Sequence, residues 1–185
     1  MTPPRVAPPE PDEYAPFYAG YIARIRDIDP IELLAQQPSV LRAACVGLTD
    51  AAAHFRYAPG KWSVKQVLGH LGDVERVLSY RLFRIGRGDA TPLSGFDENA
   101  YVDASGSDER TLSALVDDFE RARASTLQIV DGIRTDAWMR RGIANSAPVS
   151  ARALLFILGG HVEHHCAILR ERYGVTVPHL GGASA

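Results

Sequence analysis

Apolar residues recur along this chain at three- and four-residue intervals, the spacing that places them on one face of a helix. The clearest run is Val64, Val67, Leu71, Val74, Leu78, Leu82 and Ile85, which predicts a long amphipathic helix ending at the Gly86 to Gly88 break. It opens on a capping box, Ser63 with Gln66, and Trp62 and Val67 are placed as a hydrophobic staple across it. Leu112, Leu115, Val116, Phe119, Ala122, Leu127 and Val130 make a second such stripe, opened by Ser107, Asp108 and Glu109 and closed near Gly132. A third helix runs from Ser150 to Gly174, with Arg170 and Arg172 in its last turn. Ile31 to Val46 reads as a helix interrupted or restarted at Pro38 and ended by Gly47, with Thr49 capping one further turn to Phe55.

Before these, Tyr14, Phe17, Tyr18, Tyr21 and Ile25 predict a short helix after Pro16 that packs on the body. Thr135 caps a short turn holding Trp138, and a loop follows. No strand alternation and no repeat appear. The expected fold is therefore all-α, a four-helix bundle with short extra N-terminal and connecting helices. Residues 1–11 carry five prolines and read as a flexible arm, 12–174 as the bundle domain and 175–185 as a tail. The connection from Gly86 to Ser107 is long enough to be a binding loop as readily as a surface crossover.

Composition narrows the function classes. At 185 residues the chain has room for one sizeable core. A net charge of −2, with Lys and Arg scattered, leaves no nucleic-acid footprint. Cys45 and Cys166 are far apart and form no CxxC motif, which suits a reducing compartment. No apolar run reaches membrane-spanning length and no leader pattern opens the chain, so the expectation is a soluble, cytoplasmic protein with a small-molecule partner.

Three of the six histidines lie within five residues of the last helix, in GGHVEHHCAILRERY. At about 100° per residue, His161 and His165 stand about 40° apart, one turn along the apolar stripe, whereas His164 lies about 60° to the other side on the polar flank. His161 and His165 can thus converge on one ion, and His70, at the edge of the long apolar face, is the natural third ligand from a facing helix. Gly69, Gly72, Gly159 and Gly160 flank these histidines, and an interior helical glycine costs about 1 kcal/mol, so close approach of helices or of a ligand is implied. Core histidines with satisfied hydrogen bonds are the competing reading. Neither HExxH nor a paired Glu-x-x-His motif is present, and no GxSxG supports a serine hydrolase. Cys166 reads as a small buried hydrophobe, and His54 and His179 as solvated residues.

The segments APGKWSVKQVLGHLGDVERVLSYRLFRIGRGD, TPLSGFDENAYV and GGHVEHHCAILRERYG resemble the DinB-like superfamily of four-helix-bundle proteins, over residues 14 to 174. The resemblance implies a divalent metal, zinc or nickel foremost with iron, manganese or copper as alternatives, held by one histidine of the second bundle helix and an HxxxH pair on the fourth. Those positions are His70, His161 and His165. It further implies a thiol-dependent S-transferase, using a low-molecular-weight thiol, or a metal-dependent hydrolase, and a homodimer. Catalytic residues are not identified by the motif; Glu163, Asp73 or a loop carboxylate is available as proton acceptor. The rival expectation is a non-catalytic stress-response or ligand-binding bundle with a structural or vestigial metal site.

Overall fold

The computed structural model describes residues 6–178. Its helices are α1 (Ala19–Ile25), α2 (Pro30–Cys45), α3 (Asp50–His54), α4 (Val64–Gly86), α5 (Glu98–Ala104), α6 (Leu112–Asp131) and α7 (Ala151–Tyr173), joined by short 3-10 turns. The four long helices α2, α4, α6 and α7 form the bundle. Its main contacts join α4 to α6, α6 to α2, α2 to α7 and α7 to α4. Helices successive among the long four, α2 with α4 and α6 with α7, are therefore diagonal partners, and α1 packs along the outside of α7.

The predicted caps set the helix ends. Ser63 accepts from Gln66 N while the Gln66 side chain returns to Ser63 N at 3.1 Å, completing the capping box. Thr49 caps α3 and Ser150 caps α7, and Gly174 closes α7 in the left-handed region at φ +66°. Satisfying these otherwise unpaired end groups is worth roughly 1 kcal/mol per cap.

Pro38 does not interrupt α2, contrary to the sequence expectation. A proline has no N–H to give to the carbonyl four residues back, so the break should fall on Leu34. Here the Leu34 carbonyl accepts instead from Arg123 Nη1 of α6 at 3.0 Å. Arg123 is fully buried and forks onto both Glu75 oxygens at 2.7 and 2.8 Å. It also donates to Gln37 Oε1 at 2.7 Å, so one guanidinium ties α2, α4 and α6 together.

Three further expectations are corrected. The loop before α7 is a two-stranded antiparallel hairpin, β1 (Arg141–Ala144) and β2 (Ala147–Ser150), turned through Asn145 and Ser146, both at positive φ. Strands of four residues, one of them carrying Pro148, show too little alternation to be read as strands. α6 begins one turn later than expected, at the Thr111 cap, because Ser107–Glu109 forms a separate 3-10 turn. Asp108 of that turn accepts from Ser63 Oγ and Arg56, which fastens it to the start of α4 instead. Arg134, not Thr135, occupies the cap position of the turn holding Trp138. Within the Pro-rich stretch Val6 and Pro9 are buried, and Val175 and Val177 pack beneath the end of α7.

Buried side chains fall into two clusters stacked along the bundle axis, one holding Val74 and Leu158, the other Leu68, Leu71 and Val162. His70 and His161 occupy the waist between them.

Candidate metal centre

Three imidazoles meet at the waist. His70 comes from α4, and His161 and His165 from successive turns of α7, so their rings face one another across the α4–α7 contact. One ring nitrogen of each lies within 4.8 Å of the others, and all three side chains are buried. His164 is only half-buried and packs beside the Tyr21 ring instead, at 5.0 Å between centroids. His165, and not His164, thus faces the waist, in keeping with their angular positions on the helix.

The donor set fits a divalent ion. Two nitrogens bound at about 2.0–2.1 Å to one tetrahedral ion stand about 3.3 Å apart; His70 Nε2 and His161 Nε2 are 3.0 Å apart. His165 Nδ1 is buried without any hydrogen-bond partner, an arrangement that costs about 1–3 kcal/mol unless something outside the protein satisfies the ring. Burial holds His70 down to about 4, with the charge of His164 adding to the effect. Burial likewise keeps His161 and His165 well below the ordinary histidine range, reinforced by the neighbouring imidazoles. All three are therefore neutral near pH 7, the form that offers a lone pair to a metal.

Packing explains Gly69, Gly159 and Gly160. A Cβ on Gly160 would lie 2.1 Å from the Tyr21 backbone oxygen, and one on Gly69 2.1 Å from Ser107 Oγ. Gly160 thus lets α1 approach α7 closely, which sets the Tyr21 ring 5.5 Å from His161. Trp62 closes the opposite side, 4.6 Å from the His70 ring and nearly parallel to His165. The staple that fixes the start of α4 is also the wall of the histidine site, a role its spacing could not disclose.

Two clefts reach the triad, and the first turn of α5 contributes to both. One, of about 340 Å³, has His161 on its wall together with Tyr21, Arg81, Phe96 and Glu98. The other, of about 220 Å³, has His165 with Lys61, Trp62, Asn99 and Tyr173. The long connection is therefore part of the site. Burial, with Glu98 nearby, raises the Tyr21 phenol to about 12, so it keeps its proton.

The other candidate side chains lie elsewhere. Glu163 accepts from Gln37 Nε2 at 3.0 Å, while the same amide grips the Gly159 carbonyl at 2.8 Å. Asp73 lines a separate depression with Ser105 and Arg110. Burial pushes the Cys166 thiol up to about 12, which removes it as a nucleophile. His54 is exposed and bonded to the Asp50 and Asp108 carbonyls, and His179 lies outside the described residues.

Comparison with known proteins places this chain among relatives. The DinB superfamily model matches residues 33–169. YfiT of Bacillus subtilis (strain 168), named as a proposed metal-dependent hydrolase, is 28% identical over 148 residues, covering 76% of this chain and 80% of its own length. The solved YfiT structure, described as an unusual four-helix-bundle topology, superposes with a TM-score of 0.70 at 22% identity, over 89% of this chain and 95% of YfiT. A mycothiol-dependent maleylpyruvate isomerase shares the fold with a TM-score of 0.64 at 18% identity, over 80% of this chain and 60% of that enzyme.

Proposed function

Because this chain belongs to the DinB superfamily, we propose that it is a mononuclear divalent-metal enzyme acting on a small molecule, with His70, His161 and His165 as the metal ligands and hydrolysis as the reaction. One observation carries the reading: three buried imidazoles converge, one of them with an enclosed, partnerless nitrogen on His165, and His161 lines an open cleft. A divalent ion held there supplies Lewis-acid activation of a water or a thiol. The chain itself does the rest. Glu98, on the cleft wall, stands as proton acceptor, and the protonated Tyr21 donates a hydrogen bond toward a substrate oxygen. Phe96, Val74 and Leu78 hold the apolar part of the substrate against bulk water.

Thiol-dependent transfer is the second reading, favoured by the second cleft at His165, which gives a co-substrate its own approach. Elemental analysis of the native protein should find about one divalent ion per chain. Chelation should abolish turnover of an ester and amide panel, and re-addition of zinc or nickel should restore it. Activity that appears only with an added low-molecular-weight thiol would select transfer over hydrolysis. A metal-free native protein with unaltered turnover would remove both.

A further inference from the structure

Arg81 is only 3% exposed, yet its guanidinium has no carboxylate within 4 Å among the described residues. A charge this deep is ordinarily paired, as Arg123 is with Glu75 in the same bundle. One of the five N–H donors of Arg81 is used, Nη2 donating to the Ser94 carbonyl at 2.7 Å. Its other nitrogens find no acceptor oxygen among the described residues, and the Phe96 ring lies 6.0 Å from the guanidinium carbon. They are not among the fully enclosed partnerless atoms, so they remain open to the space the side chain borders. That space includes the cleft holding His161.

The placement has a direction. Arg81 and His70 share α4, with Val74 and Leu78 between them on the cleft wall, and their Cα atoms are about 16 Å apart along the helix. The guanidinium therefore stands toward one end of an apolar cleft and the triad toward the other. Asp97 and Glu98 are exposed, and Asp97 Oδ1 is committed to capping α5, accepting from Asn99 and Ala100 N at 2.9 and 3.1 Å. Screened by water, these carboxylates do little to neutralise the buried cation.

Resting on the metal-enzyme reading for the reacting end, we infer that Arg81 anchors a carboxylate of the substrate, so that the molecule processed is a small monoanion whose charged end lies away from its reacting group. A planar carboxylate matches the fork of a guanidinium, whereas a phosphate dianion would need a second cation beside Arg81, and no other Lys or Arg lines this cleft.

Isothermal titration of the metal-loaded protein with 3-phenylpropanoate and with its neutral amide tests the inference. The acid should bind at least about tenfold more tightly, and the same preference should persist after chelation, because Arg81 rather than the metal holds the charge. Arg81→Met should abolish the preference and Arg81→Lys should keep part of it, with circular dichroism and metal content measured on each variant. The wild-type comparison stands by itself should Arg81→Met fail to fold. Arg81 also borders a second depression lined by Val77, so methyl spectra fix the location: the acid should shift Val74, Leu78 and Ile157 but not Val77.

Equal binding of acid and amide, no binding of the acid, tighter binding of inorganic phosphate, or shifts confined to Val77 would each overturn the inference. So would a preference that vanishes on chelation and ignores Arg81→Met. Stoichiometric metal with no acid preference leaves the metal-enzyme reading standing and removes this one; acid preference in a protein that binds no metal does the reverse.

Discussion

His70 Nε2 and His161 Nε2 face each other at 3.0 Å across the α4–α7 contact, two lone-pair-bearing atoms from different helices aimed at the same point. Without a shared proton or an ion between them they repel. Replacing either by alanine should remove stoichiometric metal, and His165→Ala should do the same. The loss should exceed the roughly 10–100-fold that removing an outer-shell partner costs. His164→Ala should leave metal content near wild type. Inductively coupled plasma analysis of the four variants decides it, and retention of metal by His165→Ala would show that the triad is not the ligand set.

The Glu75–Arg123 pair should be the costliest ionic contact in the bundle to break. Arg123→Met strands a buried carboxylate and leaves the Leu34 carbonyl without a donor, so unfolding stability should fall by about 3–5 kcal/mol, measured by urea titration. The exposed Arg134–Asp136 pair is the control, and Arg134→Ala should leave stability unchanged.

Glu13 gives stability a specific pH dependence. Burial raises its pKa, but bonds from Arg152, Ser150 and the Glu10 backbone outweigh that and lower it from 4.5 to about 2. A carboxylate depressed in the folded state contributes fully above its unfolded pKa and loses that contribution as pH falls through the folded value. The difference in stability between wild type and Glu13→Gln should therefore be constant above about pH 5 and shrink between pH 4.5 and 2. Its span should be about 2–3 kcal/mol. A difference that does not change with pH would show that the Arg152 contact does not discriminate the ionised form.

Two glycines of similar appearance should behave oppositely. Gly160→Ala drives a methyl into the Tyr21 backbone oxygen, so α1 must shift, and a loss of about 1–3 kcal/mol is expected together with a change in Tyr21 fluorescence near His161. At Gly72 the methyl meets only the tip of Arg76, a flexible side chain, at 3.1 Å. Gly72→Ala should therefore stabilise by up to about 1 kcal/mol through helix propensity, read by thermal melting.

The parts of the fold written in local chemistry were legible in the sequence. Ser63 with Gln66, Thr49, Ser150 and Gly174 announce helix ends because capping involves residues three or four apart. The convergence of His161 and His165 follows from helix geometry alone. What the sequence concealed was long-range. Arg123 repairs the break at the Leu34 carbonyl from 89 residues away along the chain, Trp62 serves two helices at once, and Arg81 stands out only once its lack of a carboxylate partner is visible. The hairpin was hidden for another reason: four residues per strand give periodicity too little room to register.

Arg123's bond to the Leu34 carbonyl bears on the order in which the molecule assembles. Alone, the segment from Pro30 to Cys45 would be two short helical stretches meeting at a carbonyl that only water can satisfy, each below the length at which a helix persists in water. It becomes a single rod only when α6 delivers a guanidinium to that joint, and the same guanidinium needs Glu75 already in place on α4. We therefore expect α6 to dock on α4 before α2 is complete, although α2 is the earlier in the chain. Pro38→Ala, which restores the missing N–H, should uncouple the two events and let α2 form early.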